Sequence, residues 1–195
     1  MICGLLQPTK GSITVNGSDV VGQPVQAKKA IGYIPDEPSI WPSMTGMEFL
    51  HFTGVLYGMD EKSRTQEITK LLALFQLESI ANDFFEDYSR GNKQKFAIIA
   101  ALLHEPKLLV IDEPIVGLDP TSADIAKQKF TEYARAGGTV FLVTHTLSVA
   151  QEISDRIGVL RAGRLVAAGS FAELREKAHL PPTASLHDVY QALAS

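Results

Sequence analysis

The chain is short of several things, and each shortage closes a route. Among its 195 residues there is one cysteine, Cys3, so no internal disulfide can form and a reducing compartment is indicated. The setting Met1-Ile2-Cys3-Gly4-Leu5-Leu6 favours a buried structural thiol over a reactive one. No apolar run reaches the ~18 residues a spanning helix needs; residues 96–103 form the longest notable stretch, flanked by Lys95 and His104. The first ten residues carry neither a basic lead nor a small-residue cleavage site, so no secretory signal is expected. If such a chain works at a membrane, another subunit must hold it there. The net charge of −4 gives no electrostatic reason for nucleic acid or anionic lipid as the main partner. None of the 15 glycines is followed by lysine, so the phosphate loop G-x-x-x-x-G-K-[ST] is absent in any register. That loop wraps backbone N–H groups around phosphates, adds a lysine and sets a hydroxyl on magnesium.

What is present is an ordinary globular composition, 45 % apolar and 21 % charged, in a length that suits one domain with room for a subdomain and can bury a core. Residues 1–6 read as an uncapped apolar segment, as if the chain entered partway through a helix. A short strand over 12–15 closes on the turn pair Asn16-Gly17. A second strand over 31–34 stops at Pro35. From 45 to 103 the pattern is helical. Thr45 and Glu48 form a capping box ahead of Phe49, Phe52 and Leu56 on one helical face. Ile68, Leu71, Leu72 and Phe75 point inward from a second helix, and a third starts near Ser89 and runs through Ala97, Ala100 and Ala101.

Beyond Pro106 strand and helix alternate. Strands are expected at 108–111, 139–143 and 157–160, a helix at 120–136, and a hairpin through Ala162-Gly163. Alternation of this kind implies right-handed crossovers and a parallel sheet covered on both faces. Two capped helices follow, at Ser170/Glu173 and Ser185/Asp188, separated by Pro181-Pro182. No internal repeat, heptad series or low-complexity tract is present.

The chemistry lies at strand ends. Leu108-Leu109-Val110-Ile111-Asp112-Glu113 delivers two carboxylates at the C-terminal end of a buried strand, where open parallel sheets bind ligands. Adjacent residues of a strand point to opposite sides, so the two can differ in task. Asp112 could hold magnesium while Glu113 orients and deprotonates a water; a solvated or helix-capping pair is the plain alternative. His145 ends the next strand segment, where it could bond a phosphate oxygen or the attacking water, or serve as a satisfied structural residue. Asp119, before Pro120, is most simply a helix N-cap.

Over nearly its whole length this pattern resembles the nucleotide-binding domain of ABC transporters. Residues 108–113 resemble the Walker B strand with its catalytic glutamate, Gly117-Leu118-Asp119 the D-loop, and His145 the switch histidine. Tyr88-Ser89-Arg90-Gly91-Asn92-Lys93-Gln94-Lys95 resembles the signature motif in its drug-exporter form, with Arg90 where glycine is usual and Asn92 where glutamine is usual. Ile31-Gly32-Tyr33-Ile34-Pro35-Asp36-Glu37-Pro38 resembles the Q-loop, with Asp36 at the glutamine position, where its carboxylate could still ligate magnesium.

The resemblance implies an α/β fold: a P-loop NTPase-type parallel sheet with an inserted helical subdomain, incomplete at the N-terminus. It divides the chain into a remnant of the β-subdomain with the Q-loop (1–40), the helical subdomain with the signature (41–104), the Walker B, D-loop and switch half (105–169) and a helical tail (170–195). Glu113 and His145 are then catalytic. Ser89, Gly91, Asn92 and Asp119 make nucleotide contacts across a dimer interface, and Asp112 and Asp36 face magnesium. The ligands implied are ATP and Mg2+. The implied partners are transmembrane transporter subunits and a second ATP-binding subunit, identical or different, with no nucleic acid, at the cytoplasmic face of the cell membrane. Trp41 and Pro42 either help docking on the membrane partner or are plain core and turn residues.

By the same resemblance the chain begins just past the Walker A lysine and threonine, so weak ATP binding and an exposed sheet edge are expected. Three functions stay open: the ATP-binding subunit of an exporter in an incomplete frame, a non-catalytic partner lending its signature to a complete subunit, and a soluble ABC ATPase. The last is disfavoured, because the tandem domain, zinc cysteines and coiled coil of such relatives are lacking.

Overall fold

The computed structural model describes residues 1–194. It divides into two compact units, Met1–Val143 and Thr144–Ser195.

In the first unit the chain opens with turns. Residues 1–6 form no helix: Gly4 sits at φ +69° and its N–H bonds the Met1 carbonyl at 2.9 Å. A left-handed glycine three residues in stops helical propagation before a full turn has formed, which corrects the helical expectation. Strands β1 (Thr14–Val15) and β2 (Ser18–Asp19) pair antiparallel across Asn16-Gly17. Both turn residues have positive φ, 48° and 80°, the geometry that matches strand twist. Helix α1 (Pro24–Lys29), not anticipated from the sequence, is six residues long and has Pro at its start and Lys28 and Lys29 in its last turn, both favourable placements.

Strand β3 (Ile31–Ile34) ends at Pro35 as expected. It pairs in parallel with β4 (Leu108–Asp112), which pairs in parallel with β5 (Thr139–Val143), giving the order β3-β4-β5. Leu109 and Ile111 on the central strand are fully buried. Covering on both faces does not extend to β5, where Thr139, Phe141 and Val143 are exposed. Val15, Val20, Ala27, Ile31 and Val110 form a core patch, with Ile2 and Cys3 packed on it. Burial pushes the Cys3 thiol above its usual range, as befits a structural cysteine.

Between β3 and β4 lie three α-helices and a short 3-10 helix, Phe85–Asp87. In α2 (Gly46–Leu56) the capping box is complete: Thr45 Oγ1 accepts from the Glu48 N–H at 3.2 Å and Glu48 Oε2 accepts from the Thr45 N–H at 2.9 Å. Its buried line is Gly46, Leu50 and Gly54, whereas Phe52, Val55 and Leu56 face solvent. The apolar stripe at 49–56 therefore mostly points outward. Close approach decides the orientation: a Cβ at Gly46 would stand 2.4 Å from the Phe96 ring, and one at Gly54 2.5 Å from Arg64 Cδ. Helix α3 (Glu61–Leu74) buries Ile68, Leu71 and Leu72, with Phe75 just beyond it, as its spacing predicts. Helix α4 (Arg90–Leu102) follows, and α5 (Pro120–Arg135) connects β4 to β5.

The second unit holds α6 (Leu147–Ile153), the antiparallel hairpin of β6 (Ile157–Arg161) and β7 (Arg164–Gly169), then α7 (Phe171–Lys177) and α8 (Leu186–Ala194). The hairpin turns at Ala162-Gly163, both at positive φ. Val159, Ala167, Leu174, Leu186 and Val189 make the core of this unit. Both anticipated caps are present, with Ser170 and Glu173 forming a capping box and Ser185 accepting from the Asp188 N–H.

Candidate functional site

Two loops of the first unit, around 35–36 and 117–119, converge on the start of α4. That start is fixed by an aromatic group: Tyr88 stacks on Phe96 with centroids 5.0 Å apart and planes 3° apart, and both lie edge-on to Phe85. The Tyr88 hydroxyl donates to the Ile80 carbonyl. With Tyr88 anchored, Ser89 takes the N-cap, its Oγ accepting from the Asn92 N–H at 3.2 Å. The α4 first turn contains no acidic residue, so its free N–H groups and positive dipole end have no anion of their own element beside them. Ser89 is exposed, and Gly91 and Asn92 are half-buried.

The carboxylates stand where β4 ends. Asp112 pairs in register with Val143, and the Glu113 N–H extends the ladder to the Val143 carbonyl at 3.0 Å. At Glu113 the backbone turns sharply, with φ +47°, a left-handed conformation uncommon for a side-chain-bearing residue. Asp112 lies close enough to Tyr33 for its charge, after burial, to hold the Tyr33 phenol above its ordinary value. Asp36 lies two residues past β3, whose Ile34 pairs with Ile111, so Asp36 and Asp112 emerge from neighbouring parallel strand ends. Asp119 is the N-cap of α5. Its carboxylate accepts from the Ser122 hydroxyl at 2.6 Å and the Ser122 N–H at 2.9 Å, bonds that hold it below the usual carboxylate range.

The fold brings several of these residues together. Arg90 Nη2 lies 3.3 Å from Asp36 Oδ1. A Cβ at Gly91 would stand 2.7 Å from the Gly117 carbonyl oxygen, so α4 touches the 113–119 turn backbone to backbone. Gln94, fully buried, donates from Nε2 to the Pro35 carbonyl at 3.3 Å. Lys95 Nζ sits 3.9 Å from Asp119 Oδ2. Gln94 and Lys95 were not singled out from the sequence. The available signal was spacing, since residues 90, 91, 94 and 95 share one helical face. His145 follows β5 by two residues and belongs to the second unit, where it is exposed.

Among the described residues no group of three or more His, Cys, Asp or Glu is arranged to hold a metal. Magnesium takes one or two carboxylates plus phosphates and water and seldom an all-protein cage. A single carboxylate at the β4 end fits it. Within the 195 residues nothing supplies the glycine-lysine phosphate loop. Among the described residues no helix is long and apolar enough to cross a membrane.

Comparison with known proteins places this arrangement. The sequence profile described as ABC transporter matches residues 1–116. The ABC-type transporter ATP-binding protein EcsA of Bacillus subtilis (strain 168) is 35 % identical over 192 residues, covering 98 % of this chain and 77 % of EcsA. The linearmycin resistance ATP-binding protein LnrL of the same strain is 34 % identical over 174 residues, and the chain spans 56 % of its length. A solved ATP-binding subunit of an ABC transporter superposes with a TM-score of 0.94 at 33 % identity, covering 98 % of this chain and 80 % of that one. The mixed α/β architecture with its parallel sheet is therefore that of the P-loop ATPases, and the chain belongs to the ABC transporter family as an ATP-binding domain.

Proposed function

We propose that this chain forms the rear of an ATP-hydrolysing site that drives transport across a membrane, and that the phosphate-gripping loop comes from outside these 195 residues. The observation that carries the reading is the pairing of an Asp-Glu carboxylate step at the end of β4 with the Ser89-capped start of α4 in one unit. Glu113 takes the proton from the attacking water. Asp112 would hold magnesium, which when bound offsets charge on the phosphates. Ser89 and Gly91, with the Asn92 side chain beside them, present the start of α4 and a hydroxyl to the terminal phosphate of ATP held by an opposing subunit. Asp119 steadies that interface.

The helical segment 41–104 docks on transmembrane subunits at the cytoplasmic face of the membrane. Support comes from its exposed apolar surface: Trp41 lies edge-on to Phe52 at 5.9 Å, and Val55, Leu56 and Phe84 are exposed with them. By itself the chain holds ATP weakly, because most charge-assisted phosphate donors are absent from it.

Turnover tests this in a form carrying a phosphate loop ahead of Met1. Glu113→Gln should leave ATP binding intact and lower turnover by about 10²–10⁴-fold; unchanged turnover removes Glu113 as the base. A second reading rests on the same capped signature without its own phosphate loop: the chain acts as a non-catalytic partner lending Ser89 and Gly91 to a complete ATPase subunit. Adding it to such a subunit should then raise that subunit's rate, and Ser89→Ala should abolish the increase.

A further inference from the structure

The sequence departs from its family's usual pattern at three places in this region, Asp36 in the Q-loop and Arg90 and Asn92 in the signature, and the first two of these touch. Arg90 Nη2 and Asp36 Oδ1 are 3.3 Å apart although 54 residues separate them in sequence. The stem of Arg90 lies across Gly117: a Cβ built there would meet Arg90 Cδ at 3.4 Å and Cγ at 3.5 Å. One side chain therefore spans from the Q-loop to the D-loop over the start of α4. Two neighbours on the same face bind the same loops, Gln94 to the Pro35 carbonyl and Lys95 to Asp119. Neutral glutamine at 36 would give Arg90 no charge to meet, and glycine at 90 would give Asp36 no cation.

We propose that Asp36 and Arg90 are a matched pair of positioning residues, a latch that fixes the signature helix to the Q-loop and D-loop of its own chain and so sets the angle at which Ser89 and Gly91 meet the opposing nucleotide. The inference rests on the ATP-site reading for its consequence, but the latch itself is a contact within one chain. Asp36 thus serves as the anchor of Arg90, and the magnesium role falls to Asp112. Both side chains are about half exposed, so the pair governs local geometry rather than global stability.

The first arm of the test needs no nucleotide. Amide hydrogen exchange is followed on the 195-residue chain at physiological salt for Arg90→Ala, Asp36→Ala, their double, Arg90→Lys and the swap Asp36→Arg/Arg90→Asp. Each single alanine variant should speed exchange at residues 92–94, the first bonded amides of α4, by about two- to fivefold, with the unfolding midpoint barely moved. The double alanine should be no worse than either single, and Arg90→Lys and the swap should recover most protection. Additive effects or unchanged exchange in the singles overturn the latch.

The second arm measures ATP turnover by a subunit bearing a phosphate loop, stimulated by this chain. Arg90→Ala should lower kcat severalfold and leave KM unchanged; full stimulation by Arg90→Ala overturns the positioning role even if the exchange coupling is found. No stimulation by the unaltered chain counts against the partner reading of function, while exchange still decides whether the latch exists.

Discussion

His104 shows how a single buried ring shapes the pH response. Its Nε2 lies 3.2 Å from the Ile31 carbonyl, an acceptor that also takes the Tyr57 hydroxyl at 3.3 Å. The ring stacks on Tyr57 with centroids 3.5 Å apart, and its Nδ1 is buried without a partner. Nε2 must therefore carry the proton of the neutral ring. Burial pulls the pKa of His104 down to about 4, below the usual ~6.5. The folded state consequently binds fewer protons than the unfolded one between these values. This contribution to stability is full above pH ~6.5 and is lost as pH falls toward 4, amounting to about 1–2 kcal/mol after allowance for partial exposure. Denaturant midpoints at pH 7.5 and 4.5 should separate less for His104→Phe than for the natural chain; equal separations exclude His104 as the source. Gly91 is a second case. Its glycine suits close approach of a phosphate, yet the Gly117 carbonyl already occupies the space of a Cβ on its own chain. Gly91→Ala should shift the start of α4 and cost about 1–3 kcal/mol by overpacking, measured by thermal unfolding without nucleotide.

Among the elements, the helices of segment 41–104 are set by caps and aromatics together. The reciprocal bonds of Thr45 and Glu48 satisfy two orphan donors of α2, and the bond from the Thr45 N–H keeps the Glu48 carboxyl below its usual range. Thr45→Ala should lower stability by about 1 kcal/mol, seen as a reduced melting temperature with the fold retained. The caps were legible in the sequence because capping boxes are local: Thr45/Glu48, Ser170/Glu173 and Ser185/Asp188 are all found in place. The facing of α2 was not, because it depends on two glycines admitting Phe96 and Arg64. Helix α1 escaped notice because six residues without a side-chain cap give too short a period to read.

At the scale of the molecule, β5 ends the three-stranded sheet and shows solvent Phe141, 48 % exposed, and Val143, 47 % exposed. An apolar strand at a sheet edge invites pairing with other chains. Phe141→Lys should reduce self-association, measured by light scattering on warming, if the edge is its seat; an unchanged onset locates aggregation elsewhere. The sequence by itself determined the strand-end carboxylates Asp112 and Glu113, the N-caps Ser89 and Asp119, and the parallel βαβ order of β4, α5 and β5, because each depends on residues near one another in the chain. Packing alone decided which face of α2 is buried and that Arg90 meets Asp36. Both are choices of partner, which local propensity leaves open and only the packing of distant segments resolves.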